Sequence, residues 1–219
     1  MDENFELSGM IDHTILKPNC SAEEVQLLCQ EAIENNFAAV CIPPYFASDA
    51  ARILQDHAVK VATVIGFPMG YSSTPAKVEE VKRAIDDGVD ELDVVINICA
   101  VKNGNWSYVK NDINSVTTAT HLKGKVVKVI LETGMLEENE LEELCNICLE
   151  IGVDYVKTST GYNGKGATIK TVKFLQEKLQ DKVKIKASGG IDNYKKARDL
   201  IKAGANRLGC SKSLKILQA

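Results

Sequence analysis

The segment Gly152-Val153-Asp154-Tyr155-Val156-Lys157-Thr158-Ser159-Thr160-Gly161 holds a turn, a strand and a loop in one short stretch. A helical pattern ends just before it, and Gly152 supplies the left-handed residue that stops a helix and turns the chain back. Val153, Tyr155 and Val156 then read as a buried strand that ends on Lys157, with hydroxyls and a glycine following at once. Gly88-Val89-Asp90 and Gly204-Ala205-Asn206 repeat the same helix-to-strand turn. The recurrence implies strands covered by the helices that connect them, as in a parallel sheet.

Working outward, strand and helix signals alternate along the whole chain. After a short N-terminal segment, Met10–Ile15 predicts the first strand. Ser21-Ala22-Glu23-Glu24 is a capping box that opens a helix, with Val25, Leu28, Cys29 and Ala32 on one face. Ala38–Ile42 is an apolar run stopped by Pro43-Pro44, and a helix is expected over Phe46–Asp56. Lys60–Ile65 is a β-branched strand closed by the loop Gly66-Phe67-Pro68-Met69-Gly70. Thr74-Pro75 reads as an N-cap followed by proline at the first helical position. Glu91–Ile96, Val126–Leu131, Val153–Lys157, Val183–Ala187 and Asn206–Leu208 follow as strands. Helices are expected over Trp106–His121, Glu137–Ile151, Thr168–Leu179, from a cap at Asp192 through Ala203, and over Ser213–Leu217. Eight strands, each followed by a helix, predict a single (β/α)8 TIM barrel occupying 1–219 as one domain. An open doubly wound sheet is the alternative, but no G-x-G-x-x-G follows the first strand.

Composition narrows the function classes. The 219 residues are 45% hydrophobic and 26% charged, with a net charge of −4. That balance opposes a basic nucleic-acid platform, and no apolar run is long enough to span a bilayer. The acidic start Met1-Asp2-Glu3-Asn4-Phe5-Glu6 lacks the apolar core of a secretory signal. Seven cysteines at irregular spacing point to reduced thiols, so the chain is expected in the cytoplasm. Cys145-Asn146-Ile147-Cys148 has CxxC spacing but lies inside a helical pattern, where core packing explains it. The three histidines are scattered, so no zinc motif emerges.

In a barrel of this kind the chemistry sits at the carboxyl ends of the strands. Those ends are Asp12, Cys41, Asp93, Lys128, Lys157, Lys186 and Gly209-Cys210-Ser211. A single strand-end lysine usually just reaches solvent along its stem. Three lysines and two aspartates aimed at one mouth are costly to bury unless they are paired or used. Lys157 and Lys186 side by side would repel as ammonium ions, and desolvation acts in the same direction. Together these effects would lower one amine from about 10.4 toward roughly 7–8, enough for a free amine at neutral pH. Such an amine forms a Schiff base with a carbonyl compound, and the iminium is an electron sink for breaking a neighbouring carbon–carbon bond. Asp93, bridged to water, is placed to move the protons. Ser188-Gly189-Gly190 and Gly209-Cys210-Ser211 fall in the loops after the seventh and eighth strands, where barrels commonly hold phosphate on backbone amides. Cys41 reads equally well as an inert buried thiol or a substrate contact. His13, His121 and Trp106 read as packing or surface residues, and Lys125 and Lys173 as solvated ones.

Several stretches closely resemble the deoxyribose-phosphate aldolase family. They are Val156–Gly161, Ile185-Lys186-Ala187-Ser188-Gly189-Gly190-Ile191, Glu91-Leu92-Asp93-Val94-Val95-Ile96-Asn97, and Val127–Gly134 with its Lys128. Ile11-Asp12-His13-Thr14 and Val40-Cys41-Ile42 match as well, in order and over nearly the whole chain. The resemblance implies a TIM barrel and a class I aldolase that needs no metal or other cofactor. It would interconvert 2-deoxy-D-ribose 5-phosphate with D-glyceraldehyde 3-phosphate and acetaldehyde. By the same resemblance Lys157 is the Schiff-base lysine, Lys186 lowers its pKa and Asp93 relays protons. Asp12, Cys41 and Lys128 would line the sugar pocket, and Gly161, Gly189, Gly190, Gly209 and Ser211 would hold the phosphate. The implied partners are a phosphosugar and acetaldehyde, with no nucleic acid or membrane; homodimer and homotetramer both stay open.

The chain departs from the family pattern in three places. Tyr162 stands where some members carry a lysine after Thr-Gly, which leaves Lys165 or Lys212 to compensate. Lys212 itself replaces a serine of some relatives. The end at Leu217-Gln218-Ala219 lacks the terminal tyrosine that some relatives use in proton transfer. A transaldolase-like enzyme and a catalytically inert sugar-phosphate sensor are the competing readings.

Overall fold

The computed structural model describes residues 7–217. The acidic start through Glu6 and the last two residues of the Leu217-Gln218-Ala219 end lie outside the described residues. Eight parallel strands close on themselves: β1 (Ile11–Thr14), β2 (Ala39–Ile42), β3 (Lys60–Ile65), β4 (Glu91–Val95), β5 (Val126–Ile130), β6 (Tyr155–Lys157), β7 (Lys184–Ser188) and β8 (Arg207–Cys210). β1 pairs with both β2 and β8, so the sheet has no edge and the open doubly wound alternative is excluded.

The helices around the barrel are α1 (Ala22–Glu34), α2 (Ala47–Leu54), α3 (Thr74–Asp86), α4 (Ile98–Lys102), α5 (Trp106–His121), α6 (Glu138–Ile151), α7 (Ile169–Leu179), α8 (Tyr194–Lys202) and α9 (Ser213–Leu217). Their apolar stripes, such as Val25, Leu28, Cys29 and Ala32 on α1, pack on the outward strand residues to make one continuous core. The Ser21 capping box forms as its spacing predicts. Gly88, Gly152 and Gly204 have φ of 94°, 77° and 118°, so each turn after a helix uses the conformation glycine permits.

Two local expectations are corrected. Ser73, not Thr74, precedes α3, because the Thr74 hydroxyl instead donates to the buried Asp112 carboxylate at 2.7 Å. Asn193, not Asp192, caps α8, its side chain accepting from Lys196 N at 2.9 Å while Asp192 accepts from the Asn193 amide. The helix expected over Phe46–Asp56 forms as the somewhat shorter α2, with a 3-10 turn, Pro44–Phe46, leading into it from the proline pair. The five-residue helix α4 was not anticipated.

The barrel interior divides in two. Ala39 and Cys41 on β2 and Ala62 and Val64 on β3 form a small apolar patch separate from the main core. In register with it stand charged residues: Ala39 pairs with Asp12, Ala62 with Glu91 and Val64 with Asp93. Small apolar side chains on two strands thus leave room for a charged cluster supplied by the others. Outside the barrel, fully buried Lys77 on α3 donates to Asp112 at 2.6 Å and to the Val95 carbonyl at 2.8 Å. That pair ties α3 and α5 to the end of the strand that carries Asp93.

Candidate active site

The last residue of β6 is Lys157, only 2% exposed, and it stands at the floor of a cavity of about 650 Å³ at the carboxyl end of the barrel. Gly161, Gly189, Gly190, Gly209 and Ser211 share the cavity wall with it. Register makes Lys157 the neighbour of Lys186, and both amino groups donate to the same oxygen, Asp93 Oδ2, at 2.7 Å. The two nitrogens therefore lie no farther apart than twice that distance.

Beneath Lys157 the charges form a network in which Asp12, Asp93, Lys128 and Lys186 are fully buried. Lys186 also abuts Asp12 Oδ2. Lys128 donates to Asp93 Oδ1 at 2.9 Å, lies 2.6 Å from Glu91 Oε2 and reaches Asp12 Oδ2 at 3.5 Å. Arg207 closes the network with Asp12 Oδ1 at 2.6 Å and Glu91 Oε1 at 3.5 Å. Asp12 Oδ2 and Glu91 Oε2 meet their ammonium partners as charge contacts rather than well-directed hydrogen bonds.

The network sets the protonation states. Burial alone would raise the pKa of Asp93, but Lys128, Lys157 and Lys186 outweigh it and hold the carboxyl well below its usual range. Burial pushes Asp12 the same way, and Lys186, Lys128 and Arg207 override it to keep Asp12 ionised. For Lys186 burial favours the neutral amine, yet Asp12 and Asp93 together raise its pKa. Lys128 behaves likewise against Asp93, Asp12 and Glu91, and ends well above the lysine range. Crowding and desolvation, expected together to lower one amine, do not lower Lys186. Two carboxylates face it, and their attraction exceeds the repulsion from its neighbours.

Asp12, Cys41, Asp93, Lys128 and Lys186 are all fully buried below the cavity wall, and Lys157 alone of the three lysines lines it. Cys41 Sγ lies 3.9 Å from Asp93 Oδ2, and burial raises its thiol pKa. The loop after β6 is stitched to the end of β7: Ser188 N donates to Thr158 Oγ1 at 3.1 Å, Ser188 Oγ to Ser159 O at 2.5 Å, and Ala167 N to Ser188 O at 2.9 Å. Gly189 has φ of 89°, and a Cβ there would come 2.8 Å from Gly166 Cα, so neither glycine position tolerates a side chain. Of the two candidate compensating lysines, Lys212 lines the cavity and Lys165 does not; the Lys165 backbone packs against Gly134.

Sequence reasoning passed over Glu91, Arg207 and Glu132. Glu91 was legible, since it stands two residues before Asp93 on a strand and so faces the same side. Arg207 bears the same relation to Gly209 on β8. Glu132 carried no such signal, because its left-handed backbone, φ 56°, breaks the strand period just past β5. The remaining candidates pack or pair. His13 contacts Glu31 Oε2 at 2.7 Å and Ser213 Oγ at 2.9 Å, His121 contacts Asp154 at 2.9 Å, and Lys125 meets Asp90 at 2.9 Å. Cys145 and Cys148 are buried in α6, where desolvation raises the Cys145 thiol to about 12.

Comparison with known proteins agrees with this geometry. Residues 8–219 match the model of the DeoC/LacD family aldolases. The chain is 45% identical over 213 residues to a deoxyribose-phosphate aldolase of Caldicellulosiruptor saccharolyticus, covering 97% of each. It is 46% identical over 215 residues to that of Thermococcus kodakarensis, covering 97% of this chain and 96% of the relative. Among solved structures, a tetrameric deoxyribose phosphate aldolase from Aeropyrum pernix superposes with a TM-score of 0.93 at 30% identity, covering all of this chain and 92% of that one. With a closed barrel, paired strand-end lysines and a family match over nearly its whole length, the chain belongs to the DeoC/LacD family of aldolases.

Proposed function

We propose that this protein cleaves 2-deoxy-D-ribose 5-phosphate reversibly to D-glyceraldehyde 3-phosphate and acetaldehyde, with Lys157 as the Schiff-base lysine. The observation that carries the reading is the convergence of Lys157 and Lys186 on Asp93 Oδ2 directly below a glycine-walled cavity. Charge balance supports the role of Lys157. Asp12, Glu91 and Asp93 are matched by Lys128, Lys186 and Arg207, so the network does not need a fourth cation. Lys186 and Lys128 serve as its fixed positive charges, and Lys157, at the cavity, is the amine placed to meet the carbonyl carbon.

The amine adds to the aldehyde carbon of the open-chain sugar, giving a carbinolamine that loses water to leave an iminium. Removal of the proton on the C3 hydroxyl lets the C2–C3 bond break, its electron pair flowing into the iminium to form an enamine. Glyceraldehyde 3-phosphate departs. The enamine carbon then takes up a proton, and water hydrolyses the resulting iminium to acetaldehyde and free Lys157. Asp93, held ionised, touches the Lys157 nitrogen and relays these protons through water. Lys128 fixes that carboxylate from below, Asp12 pairs with Lys128 and Lys186, and Cys41 packs beside Asp93.

The phosphate is read onto Gly161, Gly189, Gly190, Gly209 and Ser211, where glycine lets backbone amides approach an anion closely. Lys212 on the same wall is the cation that compensates for Tyr162. We also read the chain as a cytoplasmic homo-oligomer. The tetrameric A. pernix relative supports assembly, the seven free thiols support a reducing compartment, and no helix among the described residues is long and apolar enough to cross a membrane.

Borohydride reduction in the presence of acetaldehyde tests the reading. A two-carbon adduct is expected on the peptide that holds Lys157; an adduct confined to other lysines overturns the assignment.

A further inference from the structure

Glu132 lies outside the charged network, yet it is fully buried and sits in a backbone conformation disfavoured for any residue with a Cβ, φ 56°. Its carboxylate gathers one short segment. It accepts from Thr160 N at 3.2 and 3.3 Å, from Thr160 Oγ1, and from Asn163 Nδ2 at 3.5 Å. Tyr162 N in turn donates to Thr160 Oγ1 at 3.0 Å. Burial raises the Glu132 pKa, and the bonds from Thr160 and Asn163, with a smaller pull from the Lys157 charge, only partly oppose it, so the fold bears a cost in keeping this side chain.

Residues 160–163 cross the mouth of the barrel from β6. The Tyr162 hydroxyl donates to Leu16 O at 2.8 Å, its ring meets Phe67 edge-on at 5.4 Å, and Asn163 Nδ2 donates to Pro68 O at 3.1 Å. The segment thereby joins the loops that follow β1 and β3. Thr160, Gly161 and Tyr162 face the same cavity as Lys157. A buried acid and a strained residue are thus spent on fixing a stretch of cavity wall, something barrel closure does not require.

We infer that Glu132 is a positioning residue for the reaction. By holding Thr160 and Asn163 it sets the strap that carries Gly161 and Tyr162, and so seats the phosphate-bearing half of the substrate over Lys157. It takes no part in forming the Schiff base. The inference rests on the aldolase reading above and adds to it the means by which the phosphosugar is oriented.

The test separates phosphosugar binding from amine chemistry. Glu132→Ala should raise KM for 2-deoxy-D-ribose 5-phosphate by about 10- to 100-fold and lower the preference over unphosphorylated 2-deoxy-D-ribose by a similar factor. The rate of acetaldehyde trapping at Lys157 by borohydride should stay within about twofold of wild type. Glu132→Gln keeps an acceptor oxygen toward Thr160 and Asn163 and should restore most of the KM. Thr160→Val removes the hydroxyl from the other side of the contact and should shift KM in the same direction as Glu132→Ala; if Glu132→Ala does not fold, this variant decides. Wild-type KM and phosphate preference in the folded variants would overturn the inference. So would a loss of trapping in proportion to cleavage, or a Glu132→Gln protein as defective as Glu132→Ala. If the wild-type protein itself neither traps acetaldehyde nor cleaves the phosphosugar, the aldolase reading fails first and the role of Glu132 falls with it.

Discussion

Lys157 and Lys186 are register partners on adjacent strands, and both donate to the same oxygen of Asp93 at 2.7 Å. They are not equivalent. Lys186 is sealed below the cavity between Asp12 and Asp93, which keep it cationic, whereas Lys157 reaches the cavity. Lys186→Leu removes the fixed charge beside the nucleophile and leaves Asp93 freer to hold Lys157 as an ammonium ion. Turnover at neutral pH should fall about 10²- to 10⁴-fold and recover in part as the pH is raised. A wild-type pH–rate profile in this variant would remove Lys186 from that role.

Lys128 has Asp12, Glu91 and Asp93 around it and no exposed surface. Lys128→Met should destabilise the fold by about 3–5 kcal/mol, because buried carboxylates lose a shared partner. Adding Glu91→Gln should recover part of the loss, since one of the stranded charges is then gone. Urea unfolding of the single and double variants measures both effects; a double variant less stable than the single one would contradict this account.

The depressed pKa of Asp12 makes stability depend on acid. Its ordinary value is 3.8, and the folded value lies below it. Its contribution is therefore fully present above that ordinary value and is lost as the pH falls toward the folded one, because the unfolded chain binds the proton first. Asp12→Asn should be less stable than wild type by about 3 kcal/mol at pH 7, with the difference narrowing as the pH is lowered below about 4. Urea midpoints across that range check the sign. A gap that stays constant with pH would rule it out.

Gly166 touches the other wall of the cavity. A Cβ at this position would lie 2.2 Å from Gly189 O, a backbone atom with no freedom to swing aside. Gly166→Ala should push the Gly189-Gly190 turn out of place, raising KM for the phosphosugar by about tenfold or more while leaving acetaldehyde trapping at Lys157 largely intact. Steady-state kinetics alongside the trap separates the two. Equal losses in both would mean that the turn also supports Lys157.

Much of this architecture was legible before any coordinates. Apolar stripes with a 3.6 period, the Ser21 capping box and the glycines at 88, 152 and 204 are local signals, and each appears in the fold where its spacing put it. The errors were local as well. Thr74 lost its capping role to Asp112, a residue 38 positions away that no window around Pro75 could reveal.

Strand-end lysines and aspartates could be named from sequence because strand period and strand order specify which end and which face they occupy. Their charge states could not. Whether Lys186 is a neutral amine or a fixed cation depends on Asp12 and Asp93 meeting it across the closed barrel. Arg207 reaches Asp12 over a separation of 195 residues, and Glu132 reaches Thr160 over 28. Periodicity and turn chemistry act within a few residues and are written in the chain itself. Electrostatic pairing and desolvation are properties of a volume, and that volume exists only once β8 has closed on β1.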